Sequence, residues 1–138
     1  MKILIISSIL FLLTSCATFT LSNESLITQL QQNQKVYEIK NLSSLGVNYP
    51  SNGLEKIECI NSKNQKVSLY PSKNVSFQIV KKSSNQKITI YFDTMILQND
   101  TLFGLKSRIL GGLQKIPVDD VASVSISAEN PKTEYVQP

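Results

Sequence analysis

A chain of 138 residues with 41% hydrophobic and 17% charged side chains has the composition of one folded domain, not of a disordered or multidomain protein. It contains no histidine, which removes imidazole-assisted nucleophilic triads and histidine-ligated zinc or iron centres from consideration. Its formal charge of +4 suits an anionic lipid surface but is too sparse for phosphate-backbone recognition, so no nucleic-acid partner is expected.

The first segment reads as a secretion signal over residues 1–15. Lys2 supplies a short positive start, and residues 3–13 (ILIISSILFLL) form an apolar run of roughly 11 residues against the ~20 needed to cross a bilayer. A cleaved signal is therefore expected in place of a permanent helix. Leu13-Thr14-Ser15-Cys16 closes the run and resembles the bacterial lipobox, a branched apolar residue and two small ones before a cysteine. The resemblance implies a thioether from the Cys16 sulfur to diacylglycerol, cleavage between Ser15 and Cys16, and acylation of the new amino group. Each buried methylene contributes about 0.8 kcal/mol, so two or three chains make such an attachment effectively permanent. The expected partner is thus the bilayer, reached through Cys16.

Ala17 follows the cysteine, where enteric lipoproteins retained in the inner membrane carry Asp, and no acidic run comes after it. By that analogy the chain belongs in the cell envelope, on the periplasmic leaflet of the outer membrane in a Gram-negative cell. Residues 16–24 read as a lipidated tether. Six or seven extended residues at roughly 3.3 Å each reach about 20 to 25 Å, which holds the following domain against the headgroups.

A single β-rich domain is expected over residues 25–127, entered through one short helix. Residues 23–32 (NESLITQLQQ) offer Ser22 or Asn23 as N-cap, Glu24 in the first turn, and Leu26, Ile27 and Leu30 at helical spacing. From Lys35 onward the period becomes two. Residues 36–39, 57–60, 67–70, 75–80 and 88–92 are short runs rich in β-branched and aromatic side chains, separated by turn-forming residues at 49–53, 61–64, 71–74 and 81–85. Residues 94–97 and 101–105 flank the turn Gln98-Asn99-Asp100, and Lys115 to Val118 precedes a strand over 121–126. Pro117 and the tight Asp119-Asp120 connection suggest a single 3-10 turn, as in SH3-like or Sm-like barrels. The fold class expected is mainly β: a small, partly closed antiparallel barrel or sheet with one short N-terminal helix after the signal peptide. An echo of residues 65–79 in residues 114–126 fits either a duplication or chance alternation. Residues 128–138, with Pro131 and Pro138, read as a flexible tail.

Tyr91-Phe92-Asp93-Thr94, then Gly104-Leu105-Lys106-Ser107-Arg108-Ile109, then Ile116-Pro117-Val118-Asp119-Asp120-Val121 resemble a pattern in small lipoproteins of Bacteroidota of unassigned activity. The resemblance covers roughly the last half of the chain. It implies an envelope location and β architecture, with no catalytic residues to carry over.

Lipidation consumes Cys16 and leaves Cys59, whose alternation with Ile57 makes it a buried structural thiol; a catalytic cysteine would need a base that no histidine supplies. The segment from Leu105 to Lys115 is the main interaction candidate. Lys106, Arg108 and Lys115 interleave with Ile109, Leu110 and Leu113 around Gly111-Gly112, a composition suited to anionic headgroups or an envelope protein partner. A hairpin folded back onto the barrel mouth is the plainer alternative. Asp119-Asp120 read as a water-facing turn in preference to a glycosidase carboxylate pair. Thr94 and Thr101, each after Asp and before an apolar residue, resemble Bacteroidota O-glycosylation signals. No catalytic residue, metal site or cofactor is assigned. The function expected is a lipid-anchored, non-enzymatic binding or scaffolding module of the cell envelope; the alternative is an envelope enzyme or accessory subunit acting on periplasmic substrates.

Overall fold

The structure is a computed structural model and describes residues 16–35, 37–42, 47–72, 74–107 and 111–137. The expected signal over residues 1–15, Ser15 included, lies outside the described residues, as do Arg108, Ile109 and Leu110.

In chain order, β1 (Cys16–Leu21) leads through Ser22 into α1 (Asn23–Asn33). Then come β2 (Tyr37–Leu42), β3 (Val47–Ser51), β4 (Ile57–Ile60), β5 (Lys66–Tyr70), β6 (Val75–Lys81) and β7 (Lys87–Tyr91). A 3-10 turn over Phe92–Thr94 precedes β8 (Ile96–Gln98), β9 (Thr101–Ser107) and β10 (Gly111–Pro117). A second 3-10 turn, Val118–Asp120, opens into β11 (Val121–Glu129), and β12 (Lys132–Tyr135) follows. The strands form a seven-stranded sheet in the order β12-β5-β4-β1-β11-β6-β7, a three-stranded sheet β10-β9-β8 and a two-stranded ribbon β2-β3. Every pairing is antiparallel.

The helix starts where its sequence says it should. The Ser22 hydroxyl accepts from the Ser25 amide at 3.0 Å, Glu24 sits in the first turn near the positive end of the helix dipole, and Leu26 and Leu30 are buried. Two expectations about its flanks are overturned. Residues 16–21, expected as an extended tether ahead of a domain starting at residue 25, are a central strand of that domain, paired with β11 from Cys16↔Glu129 to Leu21↔Val124. The alternation that makes this possible is Phe19 and Leu21 inward with Cys16, Thr18 and Thr20 outward. At the other end, the expected tail is strand to Glu129 and then β12, which pairs with β5 from Lys132↔Tyr70 to Tyr135↔Val67. Tyr70 donates its hydroxyl to Glu134 at 2.9 Å, and Lys132 lies 5.3 Å from the centre of the Tyr70 ring. Residues 49–53, expected as a turn, run as strand to Ser51 before Gly53 adopts a left-handed φ of 66°. The expected 3-10 turn at Asp119-Asp120 is present, but the sequence echo is not repeated as a unit, because β10 and β11 fall in different sheets.

Connectivity forces the large sheet to curl. Only Asn130 and Pro131 separate β11 from β12, although β1, β4 and β5 lie between them in the strand order. A flat sheet would require roughly 19 Å across four strand spacings, without counting displacement along the strands. Three peptide units span at most about 11 Å. Asn130, at φ 48°, makes the bend. The strand order still has two ends, so the sheet is strongly curved without closing into a barrel.

Inward side chains of the curled sheet, among them Phe77, Ile79, Ile90 and Ile126, pack with Leu26 and Leu30 of the helix and with Leu102 and Ile116 of the small sheet in one apolar cluster. Phe77 and Phe92 stack with ring centres 5.0 Å apart. The two sheets approach closely at Gly104, where a β-carbon would collide with Ile90 Cγ2. Gly104→Ala is expected to cost about 1–3 kcal/mol through overpacking. In urea denaturation of the unlipidated chain, Ile90→Ala, which removes Cγ2, should combine with Gly104→Ala to a loss smaller than the sum of the two single losses, whereas simple additivity would contradict this packing.

Candidate functional site

The sheet register gives the molecule two ends. At one, Cys16 is level with Glu129, and Thr18, Ser127, Ser76 and Tyr91 form a row across β1, β11, β6 and β7. At the other, Val121 pairs with Lys81. Cys16 is exposed and begins its strand on the outward face, with its Sγ 2.8 Å from the Ser127 hydroxyl oxygen. A second row, Thr20, Ser125, Gln78 and Thr89, lies one pleat further along. These two rows carry hydroxyl and amide groups, and on the same outward face Glu129 stands beside Cys16 and Lys87 begins β7.

Cys59 is the opposite kind of cysteine. It is buried on the inward face of β4, and burial pushes its thiol up to about 11, which suppresses the nucleophilic thiolate at neutral pH. The structural role expected for it matches this environment. Maleimide treatment of the unlipidated, folded chain near neutral pH is expected to modify Cys16 and spare Cys59; mass analysis finding equal modification of both would contradict the burial.

The β9–β10 hairpin runs between the two ends. Its base, where Thr101 pairs with Pro117, adjoins the Val118–Asp120 turn and hence the β6–β7 turn. Midway, Gly104 meets Ile90; beyond it, the Leu105 amide donates to the Thr94 hydroxyl at 3.0 Å, and Thr94 lies in the turn that follows Tyr91. The hairpin thus points from the Asp120 end towards the end where β1 begins, and Lys106 extends past Leu105 in that direction. Lys106 and Lys115 are exposed, and Leu113 is 52% exposed, although its register partner Leu105 is buried. Lys115 lies 5.8 Å from the centre of its register partner Phe103. Of the interaction segment, the structure places Lys106, Leu113 and Lys115; Leu105 does fold back, as the plainer alternative has it.

The two glycosylation candidates separate. Thr94 is buried, and its hydroxyl donates to the Tyr91 carbonyl at 2.8 Å while accepting from Leu105, so the folded chain offers no acceptor oxygen there. Thr101 is partly exposed, next to Asn99 and Asp100, which both adopt left-handed φ in the β8–β9 turn.

Asp119 and Asp120 do not converge. Asp119 is exposed, whereas Asp120 accepts from the Ser83 amide at 2.8 Å and the Ser83 hydroxyl at 2.9 Å, with Lys81 Nζ at 3.6 Å. These groups, the Ser83 amide first, hold the Asp120 carboxyl below the usual carboxylate range. Asp120 locks the turn, while Asp119 faces water. Because the folded pKa is the lower one, Asp120 stabilises the fold above the unfolded value of about 3.9, and that contribution disappears as pH falls through the folded value. Asp120→Asn is expected to flatten this part of the acid limb in denaturant midpoints measured from about pH 6 downward, and an unchanged acid limb would refute the assignment.

Three amides that the sequence reading did not single out hold the surroundings together. Gln29 donates to the Glu58 carbonyl at 2.9 Å and accepts from the Glu58 amide at 2.7 Å, acting as a one-residue strand on the edge of β4. Gln34 does the same to Leu97 on β8, at 3.1 and 2.7 Å. Asn52 is fully buried; its Nδ2 donates to the Phe92 and Met95 carbonyls at 2.7 and 2.8 Å, and its Oδ1 accepts from the Leu54 amide at 3.0 Å. A polar cleft of about 390 Å³ lies beside the end of α1, lined in part by Gln29, Gln32, Lys35, Glu55 and Lys56. Among the described residues, no three His, Cys, Asp or Glu side chains gather as a metal ion would require, and no helix is long and apolar enough to cross a membrane. Comparison with family models, with curated proteins and with solved structures finds no match to this chain.

Proposed function

We propose that this chain is a lipid-anchored, non-enzymatic module of a bacterial cell envelope, of the small Bacteroidota lipoprotein type, that binds or scaffolds other envelope components. Cys16 carries the anchor, the bilayer is its constant partner, and an envelope protein is the second. The observation that carries the reading is the pairing of the Leu13-Thr14-Ser15-Cys16 motif with an exposed Cys16 thiol at the head of β1, while the other cysteine is buried. One thiol is available to an acyl-transfer enzyme and the other is not. Two or more acyl chains on Cys16 would confine the domain to the leaflet in which it is placed, the periplasmic leaflet of the outer membrane in a Gram-negative cell.

The curled sheet supplies a rigid platform next to that anchor. Its two outward rows offer hydroxyl and amide hydrogen bonds to a partner held beside the anchor. Cells grown with labelled palmitate are expected to incorporate the label into the native chain and not into a Cys16→Ser variant, and the variant should leave the membrane fraction. A variant that still sediments with membranes, or a native chain without label, would overturn the proposal.

A further inference from the structure

We propose that the β9–β10 hairpin is a second membrane contact, one that docks on anionic lipid headgroups and fixes the orientation in which the domain sits on its anchor. The inference rests on the reading of Cys16 as the lipid attachment site and adds to it a surface and a charge preference.

Three observations converge on the hairpin. Direction is the first: its strands run from the Asp120 end towards the end of the sheet where Cys16 begins β1, so Lys106 and Leu113 lie in the half nearer the anchor, with Lys115 one register pair to the base side of Gly104. Exposure is the second. Leu113 and Tyr135 are the large hydrophobic side chains left exposed among the described residues, and Leu113 shares a hairpin face with buried Leu105 and Ile96, half-buried Phe103 and exposed Lys115. Charge is the third: Lys106 and Lys115 are exposed beside Leu113, and strand alternation turns them to opposite faces of the hairpin. A hairpin with a cation on each face and an apolar side chain between them suits the headgroup boundary, where an ammonium on a flexible stem stays among phosphates while a leucine enters the acyl region.

An anchor with no linker makes the contact effective. Because β1 is hydrogen-bonded from Cys16 itself, the lipid holds this end of the sheet against the bilayer. Docking of the hairpin is then intramolecular, with the local concentration of lipid already high, so a single leucine and two lysines suffice where they would bind only weakly in solution.

The experiment separates the hairpin from the anchor by attaching the anchor chemically. The unlipidated chain beginning at residue 16 is coupled through the Cys16 thiol to a maleimide lipid in vesicles, either of phosphatidylcholine alone or of phosphatidylcholine with phosphatidylglycerol. The sequence contains no tryptophan, so Leu113→Trp provides a unique fluorophore, and Thr89→Trp, on the outward face of β7, is its control. On phosphatidylglycerol vesicles, emission from the Leu113→Trp variant is expected to move to shorter wavelength and to be quenched by acyl-chain-brominated lipid, with the control unchanged. Adding Lys106→Ser and Lys115→Ser should lower the docked-to-undocked ratio about 30-fold. Emission from the Leu113→Trp variant that stays as in solution on both vesicle types would overturn the proposal, and so would equal quenching of the control. A shift produced only by detergent-solubilised envelope protein would also overturn it, and would assign the hairpin to a protein partner. Because the coupling is chemical, each outcome stands whether or not cells acylate Cys16, which the palmitate experiment decides separately.

Discussion

The structure depends on β1 being in the middle. A six-residue segment directly after the expected cleavage site inserts between β4 and β11, and on the β11 side it is paired along its whole length. Without it the seven-stranded sheet would fall into two pieces, β12-β5-β4 and β11-β6-β7, linked along the chain by the bend at Asn130-Pro131 and the connection from β5 to β6. Phe19 and Leu21 would also leave the core. The same six residues therefore hold the centre of the fold and the cysteine proposed as the anchor.

Amide side chains manage the consequences of the curl. β1 and β4 share a single register pair, Thr20↔Ile60, so the rest of the β4 edge is left without a strand partner on that side. Gln29 fills it with its own carboxamide, and Gln34 repeats the device on β8. Asn52 ties the 3-10 turn after β7 to the chain that enters β4, with both polar atoms engaged. Removing Asn52 strands three buried backbone partners at once, each at a cost of about 1–3 kcal/mol, and removing Gln29 or Gln34 strands two that are partly buried.

Much of this was legible in the residues. Period-two alternation located β4, β5, β6, β7, β9 and β11, and the capping serine and leucine spacing located α1, because in each case burial on one face leaves its mark on local sequence. β1 and β12 were not legible. Cys16 to Leu21 has an alternation, but its meaning depends on partners more than a hundred residues away, and Lys132 to Tyr135 is exposed throughout, so its pairing with β5 leaves no hydrophobic signature. The candidate site was legible only in its chemistry. Cys16 follows from a covalent motif, whereas the opposite fates of Thr94 and Thr101 follow from tertiary hydrogen bonds that no local pattern encodes. Gln29 and Gln34 look in sequence like any polar residues on a helix.

The placement of β1 also bears on how such a protein leaves a membrane. A lipoprotein whose folded domain hangs on a flexible stalk can be clipped by a protease and released intact. Here there is no stalk to cut. If Cys16 holds the lipid, a cleavage that frees the chain has to fall within or beyond a central strand, and the released product would lack the strand that joins its two half-sheets. For a chain anchored in this way, proteolytic release would cost the strand that joins the two halves of the sheet.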